Sequence, residues 1–307
     1  MDLENQPLEA PEPVLAEAAS LQTYRVVYDL LRARVKMGCV LDAPCGSGAF
    51  TRRLLDSRVY RVAALDLERR PGVPNVDFRA GDMNDRLPFP NDSFDAVVSI
   101  DGVEHLQHPC HFIRECNRIL HPGGVLIVTA PNISSVRSRW RWFATGFHNT
   151  SGYPPDEQDA ASPEQIRMLS FPELRYMLHT SGFQIQRIST NRSSAINWLY
   201  GTLVPLQFSF SLLSFWRAAK TEEHRRQIGE ILRQMMSVPI LFGESMIIVA
   251  TEVMKAAYIK QTWKAPVART PDLGGMLWGE PSCQVRCPAH RRWEFRGSPC
   301  PSGRRGG

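Results

Sequence analysis

Three aspartates stand at or just past the ends of apolar runs: Asp42, Asp66 and Asp82. Two glycines, Gly46 and Gly48, follow the first of them. This combination suits a ligand rich in hydroxyl and amino groups. Carboxylates accept from such donors, and a glycine turn lets the backbone come close because no Cβ occupies the ligand's space. In residues 40–50 (VLDAPCGSGAF) an apolar run stops at Asp42, turns through the glycines and enters a helical pattern with Phe50, Leu54 and Leu55 at core spacing. A strand, a glycine turn and a helix in that order make a nucleotide-type site. Cys45 lies inside the turn and reads as a small filler there, not as a nucleophile. Ile100 and Asp101 close a further run (AVVSI), and Glu104-His105 follows directly. A neutral imidazole at that place can take a hydroxyl proton; a capping or supporting role is its bland alternative.

The elements that position these residues alternate. Helical spacing runs from Leu21 to Val35, and apolar strand patterns cover about 38–42, 60–65, 76–79, 95–100 and 125–129. Between the last two, His111–Leu120 has a helical period stopped by His121-Pro122-Gly123-Gly124. Ser170 and Glu173 make a capping box for a helix reaching Gly182, and strands follow at 183–190 and 245–251. The expected fold class is α/β: a doubly wound, Rossmann-like, seven-stranded and mostly parallel sheet with helices on both faces and helical insertions.

Charge and cysteine content narrow the function. The chain has 307 residues and a formal charge of +5, but residues 260–307 hold nine Lys/Arg against three Asp/Glu. The remainder is close to neutral, with no basic face of the kind that neutralises phosphates, so no nucleic-acid partner is expected. The seven cysteines are irregularly spaced; Cys283, Cys287 and His290 lack the second pair that structural zinc requires, so no metal is expected. A reducing, cytoplasmic setting follows more simply. The expected organisation is a disordered lead over 1–20, one domain over 21–254, and a largely disordered extension over 255–307.

Two insertions interrupt the domain, at about 132–168 and 191–243. The first carries RSRWRWFATGF (137–147), whose arginines could clamp an anionic acceptor, or whose aromatic residues could dip into a membrane interface. The second holds Ile196–Trp216, twenty-one residues without a charge. Asn197, Gly201, Thr202, Pro205, Gln207 and several serines break that stretch. A membrane span is therefore not expected, and a substrate lid or a peripheral membrane contact is.

With residues 40–50, Asp66, Asp82 and 87–132 in this order, the chain resembles the class I S-adenosylmethionine-dependent methyltransferases, in their small-molecule branch. The resemblance covers about 21–190 and 244–252. It implies S-adenosylmethionine as cofactor, with Asp42 anchoring the glycine loop and bonding the methionine amino group, directly or through water. Gly46 and Gly48 would touch the amino-acid part, Asp66 would accept the ribose hydroxyls, and Leu67 would pack on the adenine. Asp82 and the Met83 backbone N–H would meet the adenine edge. Ile100 and Asp101 would border the crevice, and His105 would be the general base. The implied reaction is methyl transfer, at oxygen, to a small amphiphilic, lipid-like or glycan-linked acceptor. A non-catalytic cofactor-binding or membrane-associated scaffold is the alternative. GSGAFT lacks the third glycine of dinucleotide folds, which disfavours an oxidoreductase.

Overall fold

A computed structural model of the chain describes residues 20–68, 73, 76–148, 168–193, 195–218 and 221–255. The expected lead-in and tail, the centre of the first insertion, and Cys283, Cys287 and His290 lie outside these residues.

The elements run α1 (Leu21–Arg34), β1 (Gly38–Asp42), α2 (Ala49–Asp56), β2 (Tyr60–Asp66), β3 (Asp77–Ala80), β4 (Phe94–Ser99), α3 (Pro109–Ile119) and β5 (Leu120–Pro131). They continue with α4 (Val136–Thr145), α5 (Phe171–Thr180), β6 (Phe183–Ser189), α6 (Ala195–Leu199), α7 (Val204–Ala218), α8 (Glu222–Met235), α9 (Val238–Phe242) and β7 (Ser245–Glu252). One seven-stranded sheet has the order β3-β2-β1-β4-β5-β7-β6. The first five strands are parallel, and β7 runs antiparallel between β5 and β6.

Strand side chains alternate between faces, and the core divides accordingly. Leu41, Val97, Leu126 and Ile248 face a cluster with Phe112, Ile113, Phe171 and Leu174 from α3 and α5. Their neighbours Val40, Val98, Ile127 and Val249 face Val27, Leu31, Phe50 and Leu54 from α1 and α2. Central strands buried on both faces read as unbroken apolar runs, which is why they stand out in the sequence. The Ser170–Glu173 capping box closes as expected, with Ser170 Oγ accepting from the Glu173 N–H and the Glu173 carboxylate accepting from the Ser170 N–H at 2.8 Å.

Two boundaries differ from the sequence reading. The helix after the capping box stops at Thr180. The residues His121–Gly124 do not follow the helix as a separate turn; they are looped out within β5, between the pairings Phe94↔Leu120 and Ala96↔Val125.

Candidate active site

The parallel strands β1, β2, β3 and β4 share one carboxyl edge, so their closing residues converge. Asp42 lies in register with Ala64 on one side and Val98 on the other, and Asp66 with Ala80. Past β1 the chain stays stitched to both neighbours: Ala43 N–H donates to Val98 O and Cys45 N–H to Leu65 O, each at 3.0 Å. The turn then passes through Gly46 (φ 53°) and Gly48 (φ 89°), conformations that side-chain-bearing residues rarely adopt. Gly48 is also close-packed. A Cβ there would lie 2.5 Å from Cγ2 of Val73, which covers the loop from the β2–β3 connection.

Two aspartates tie this loop down differently. Asp66 spans it: one carboxylate oxygen accepts from the Gly46 N–H at 2.7 Å and the other from the Leu67 N–H at 2.8 Å. Each oxygen keeps a further lone pair for a ligand hydroxyl. Asp42 is buried beneath the loop and accepts from the Thr51 hydroxyl at 2.6 Å, pinning β1 to the first turn of α2. Burial, reinforced by the nearby Asp66 charge and opposed by the Thr51 bond, pushes its carboxyl up to about 7. A cation placed beside it would bring that value back down. A carboxylate pair of this kind fits an ammonium and a diol and repels a pyrophosphate.

Beyond β3, Asp82 Oδ1 accepts from both the backbone and side-chain N–H groups of Asn84, at 2.7 and 3.0 Å. Met83 is buried and Leu67 is exposed. At the end of β4, Ile100 is buried, and Asp101 sits in the left-handed region (φ 46°). Asp101 holds β5 reciprocally: its N–H donates to Thr129 Oγ1 at 2.8 Å, and the Thr129 hydroxyl donates to Asp101 Oδ1 at 2.6 Å. Pro44 packs on Gly102, where a Cβ would lie 2.3 Å from the proline Cδ, so the β1 and β4 loops lean on one another. His105 ends the short 3-10 turn Val103–His105 and is half-buried, and burial pushes the nearby Asp101 carboxyl above its ordinary range against the opposing Thr129 bond.

Glu104 is the residue whose prominence the sequence does not give. It is buried, its Oε2 has no hydrogen-bond partner, and burial together with the Asp101 charge pushes its carboxyl up to about 8. A glutamate directly before His105 suggests proximity to the site; only the packing of the 3-10 turn turns its side chain inward. Among the described residues no group of three or more His, Cys, Asp or Glu could hold a metal ion.

The fit to S-adenosylmethionine rests on these features: an acidic strand edge, two left-handed glycines beside it, and buried carboxyl groups without a countercharge. The two insertions meet as well. Arg139 of α4 donates to Gln207 of α7 across a long 3.4 Å bond, and Val136 packs with Phe242, Leu203 and Val204. Trp198 stacks on Phe242, with centroids 4.2 Å apart. The outer side of this assembly exposes Trp140, Trp142, Phe143, Leu206, Phe210 and Leu213. No helix among the described residues is long and apolar enough to cross a membrane.

Comparison with known proteins finds methyltransferases. Residues 41–128 match the methyltransferase domain family. The chain is 32% identical over 169 residues to a probable S-adenosylmethionine-dependent methyltransferase of Mycolicibacterium smegmatis, covering 53% of this chain and 58% of that one. It is 33% identical over 112 residues to a phthiotriol/phenolphthiotriol dimycocerosates methyltransferase of Mycobacterium ulcerans, covering 33% and 40%. A ubiquinone biosynthesis O-methyltransferase of Xanthomonas oryzae is 32% identical over 137 residues, covering 41% and 53%. The chain thus spans between 40% and 58% of the length of these curated relatives.

Proposed function

We propose, for a chain whose residues 41–128 belong to the methyltransferase domain family, that it methylates an oxygen of a small amphiphilic acceptor with S-adenosylmethionine as donor. The observation that carries the reading is the Asp66 bridge to Gly46: one carboxylate holds the glycine loop in its left-handed form and keeps lone pairs for a ribose diol. When bound, the cofactor supplies a methyl group already activated by a sulfonium.

The chain's own residues then do the positioning. Asp42 anchors the loop and faces the amino-acid end, and Gly46 and Gly48 make room for it. Leu67, Asp82 and Met83 surround the adenine, with Ile100 and Asp101 bordering the crevice. Glu104 and Asp101 precede His105 just past the end of β4. His105 accepts the proton that the acceptor hydroxyl loses as its oxygen forms the new bond. Because the methyl needs no further activation, alignment of the acceptor contributes more than acid–base force.

An amphiphilic acceptor is supported by the exposed aromatic face of α4 and α7, and by relatives named for ubiquinone biosynthesis and for phthiotriol dimycocerosates. Peripheral contact of 137–147 and 196–216 with a lipid surface belongs to the same reading. So does a cytoplasmic setting, which the free thiols of Cys39, Cys110 and Cys116 support.

The test uses the full chain, methyl-labelled S-adenosylmethionine and a lipid and metabolite extract. Label should pass to an organic-soluble product, and His105→Ala should slow turnover while leaving cofactor affinity unchanged. Calorimetry without detectable cofactor binding would end the reading; binding without transfer would favour a scaffold.

A further inference from the structure

Arg139 is a cation in the wrong place for a structural arginine. Its Nη2 is sealed from solvent and donates to nothing. Its one described bond is the 3.4 Å contact to Gln207, at the long limit for a hydrogen bond. Burial pulls its guanidinium below the ordinary arginine range. It also lies in the second turn of α4, close to a helix N-terminus where positive charge is disfavoured, and that first turn holds no acidic residue. The described residues of the two helices supply no counterion. Residues 132–148 contain three arginines and no Asp or Glu, and residues 195–218 contain Arg217 and no acid. A half-buried charge left uncompensated is costly, so its persistence points to an anion that arrives from outside.

What carries that anion is indicated by the two helices that Arg139 joins. Trp140, Trp142 and Phe143 of α4 and Leu206, Phe210 and Leu213 of α7 are exposed on the two helices that Arg139 and Gln207 join. A buried, unpaired guanidinium nitrogen on a pair of helices that expose apolar side chains complements a molecule with a long hydrocarbon part and an anionic group.

We propose that Arg139 is the headgroup anchor of a binding site for an anionic lipid, its phosphate or carboxylate paired with the guanidinium and its tail lying along α4 and α7. This deepens the amphiphilic-acceptor reading and rests on it only for the identity of the occupant; the binding itself needs no methyl donor.

The experiment is vesicle co-sedimentation of the full chain without cofactor. Neutral phosphatidylcholine vesicles are compared with vesicles containing phosphatidylglycerol, and inorganic phosphate serves as the free-anion arm. The wild type should prefer anionic vesicles. Arg139→Gln should lose about tenfold in apparent affinity for them, the factor carried by one charge-assisted bond, and fall to the neutral level. Arg139→Lys should recover part of the loss, and Trp142→Ser should weaken binding to both vesicle types. Without lipid, Arg139→Gln should melt no earlier than the wild type, because it removes an unpaired buried charge. Equal binding of anionic vesicles by Arg139→Gln overturns the site. So does earlier melting of that variant, which would make the arginine structural. Competition by inorganic phosphate as effective as that of the lipid would assign a small-anion site instead. Absence of methyl transfer in the extract assay leaves these outcomes untouched, so the two readings fail separately.

Discussion

The carboxyl edge of β1–β4 and the outer face of α4 and α7 handle charge in opposite ways. At the edge, Asp42, Asp66, Asp82 and Asp101 each accept a hydrogen bond from the protein itself, so the site is arranged before any ligand comes. On the helical face Arg139 has one long bond, and its helix and α7 expose apolar side chains. Preorganised carboxylates suit a cofactor that must dock in one geometry. An unpaired cation on a helix with exposed aromatic side chains suits an acceptor that varies in its tail but keeps one charge. On the proposed reading, the donor and acceptor halves of the site are thus built on different physical terms.

The sharpest way to break the comparison is to remove the charge that organises the edge. Asp66→Ala takes away the acceptor of the Gly46 and Leu67 N–H groups, together with two bonds to the proposed ribose. Charge-assisted bonds contribute about 1.5–3 kcal/mol each, so cofactor affinity measured by calorimetry should fall at least about 10²-fold. Unchanged affinity would mean that the carboxylate serves only the loop. Gly48→Ala should come next. The left-handed backbone costs about 1–2 kcal/mol for a residue with a side chain, and the new methyl would press on Val73. A lower melting temperature and weaker cofactor binding should appear together; a normal melting curve would remove the strain.

Much of the edge is legible in the sequence because it is local. The runs ending at Asp42 and Asp66, the glycines between them and the AVVSI stretch are short-range patterns, and every strand but β5, which starts five residues early, lies within a residue or two of its expected range. The Thr51–Asp42 bond and the burial of Glu104 depend on how α2 and the 3-10 turn pack, which spacing alone does not encode. The helical face was harder to read for another reason. A charge-free stretch of 21 residues has the length of a span, but Gly201 and Thr202 lie in a 3-10 turn and Pro205 opens α7, which breaks it into two helices. That the two insertions touch is a tertiary fact with no signature in either segment.

A pH titration sharpens the same contrast, since burial has displaced the Asp42 carboxyl to about 7. Below about pH 4 both folded and unfolded chains hold this proton. Between about pH 4 and 7 the unfolded chain releases it while the folded chain keeps it, so this group's contribution to stability falls as pH rises across that window. Cofactor binding should run the other way. The ionised form is the one that faces the ammonium, so affinity should strengthen from pH 6 to 7.5. Asp42→Asn, which preserves an acceptor for Thr51, should flatten both trends. A wild-type affinity already flat over that range would show that no ammonium approaches this carboxylate.

The smallest effect tests the helical face. Phe143 is 75% exposed, so Phe143→Ser removes little that the fold uses, and stability should change by no more than about 0.5 kcal/mol. A buried phenylalanine such as Phe112, fully enclosed between α3 and the sheet, should lose about 3–5 kcal/mol on truncation to Ala. If Phe143→Ser destabilised the chain on that second scale, its ring would have to be buried in the working protein, and the face would be a packing surface. If stability holds while transfer to long-chain acceptors falls more than transfer to short ones, the ring contacts the tail. That chain-length dependence separates an acceptor-binding face from an ordinary amphipathic helix, which would leave all acceptors equally well used.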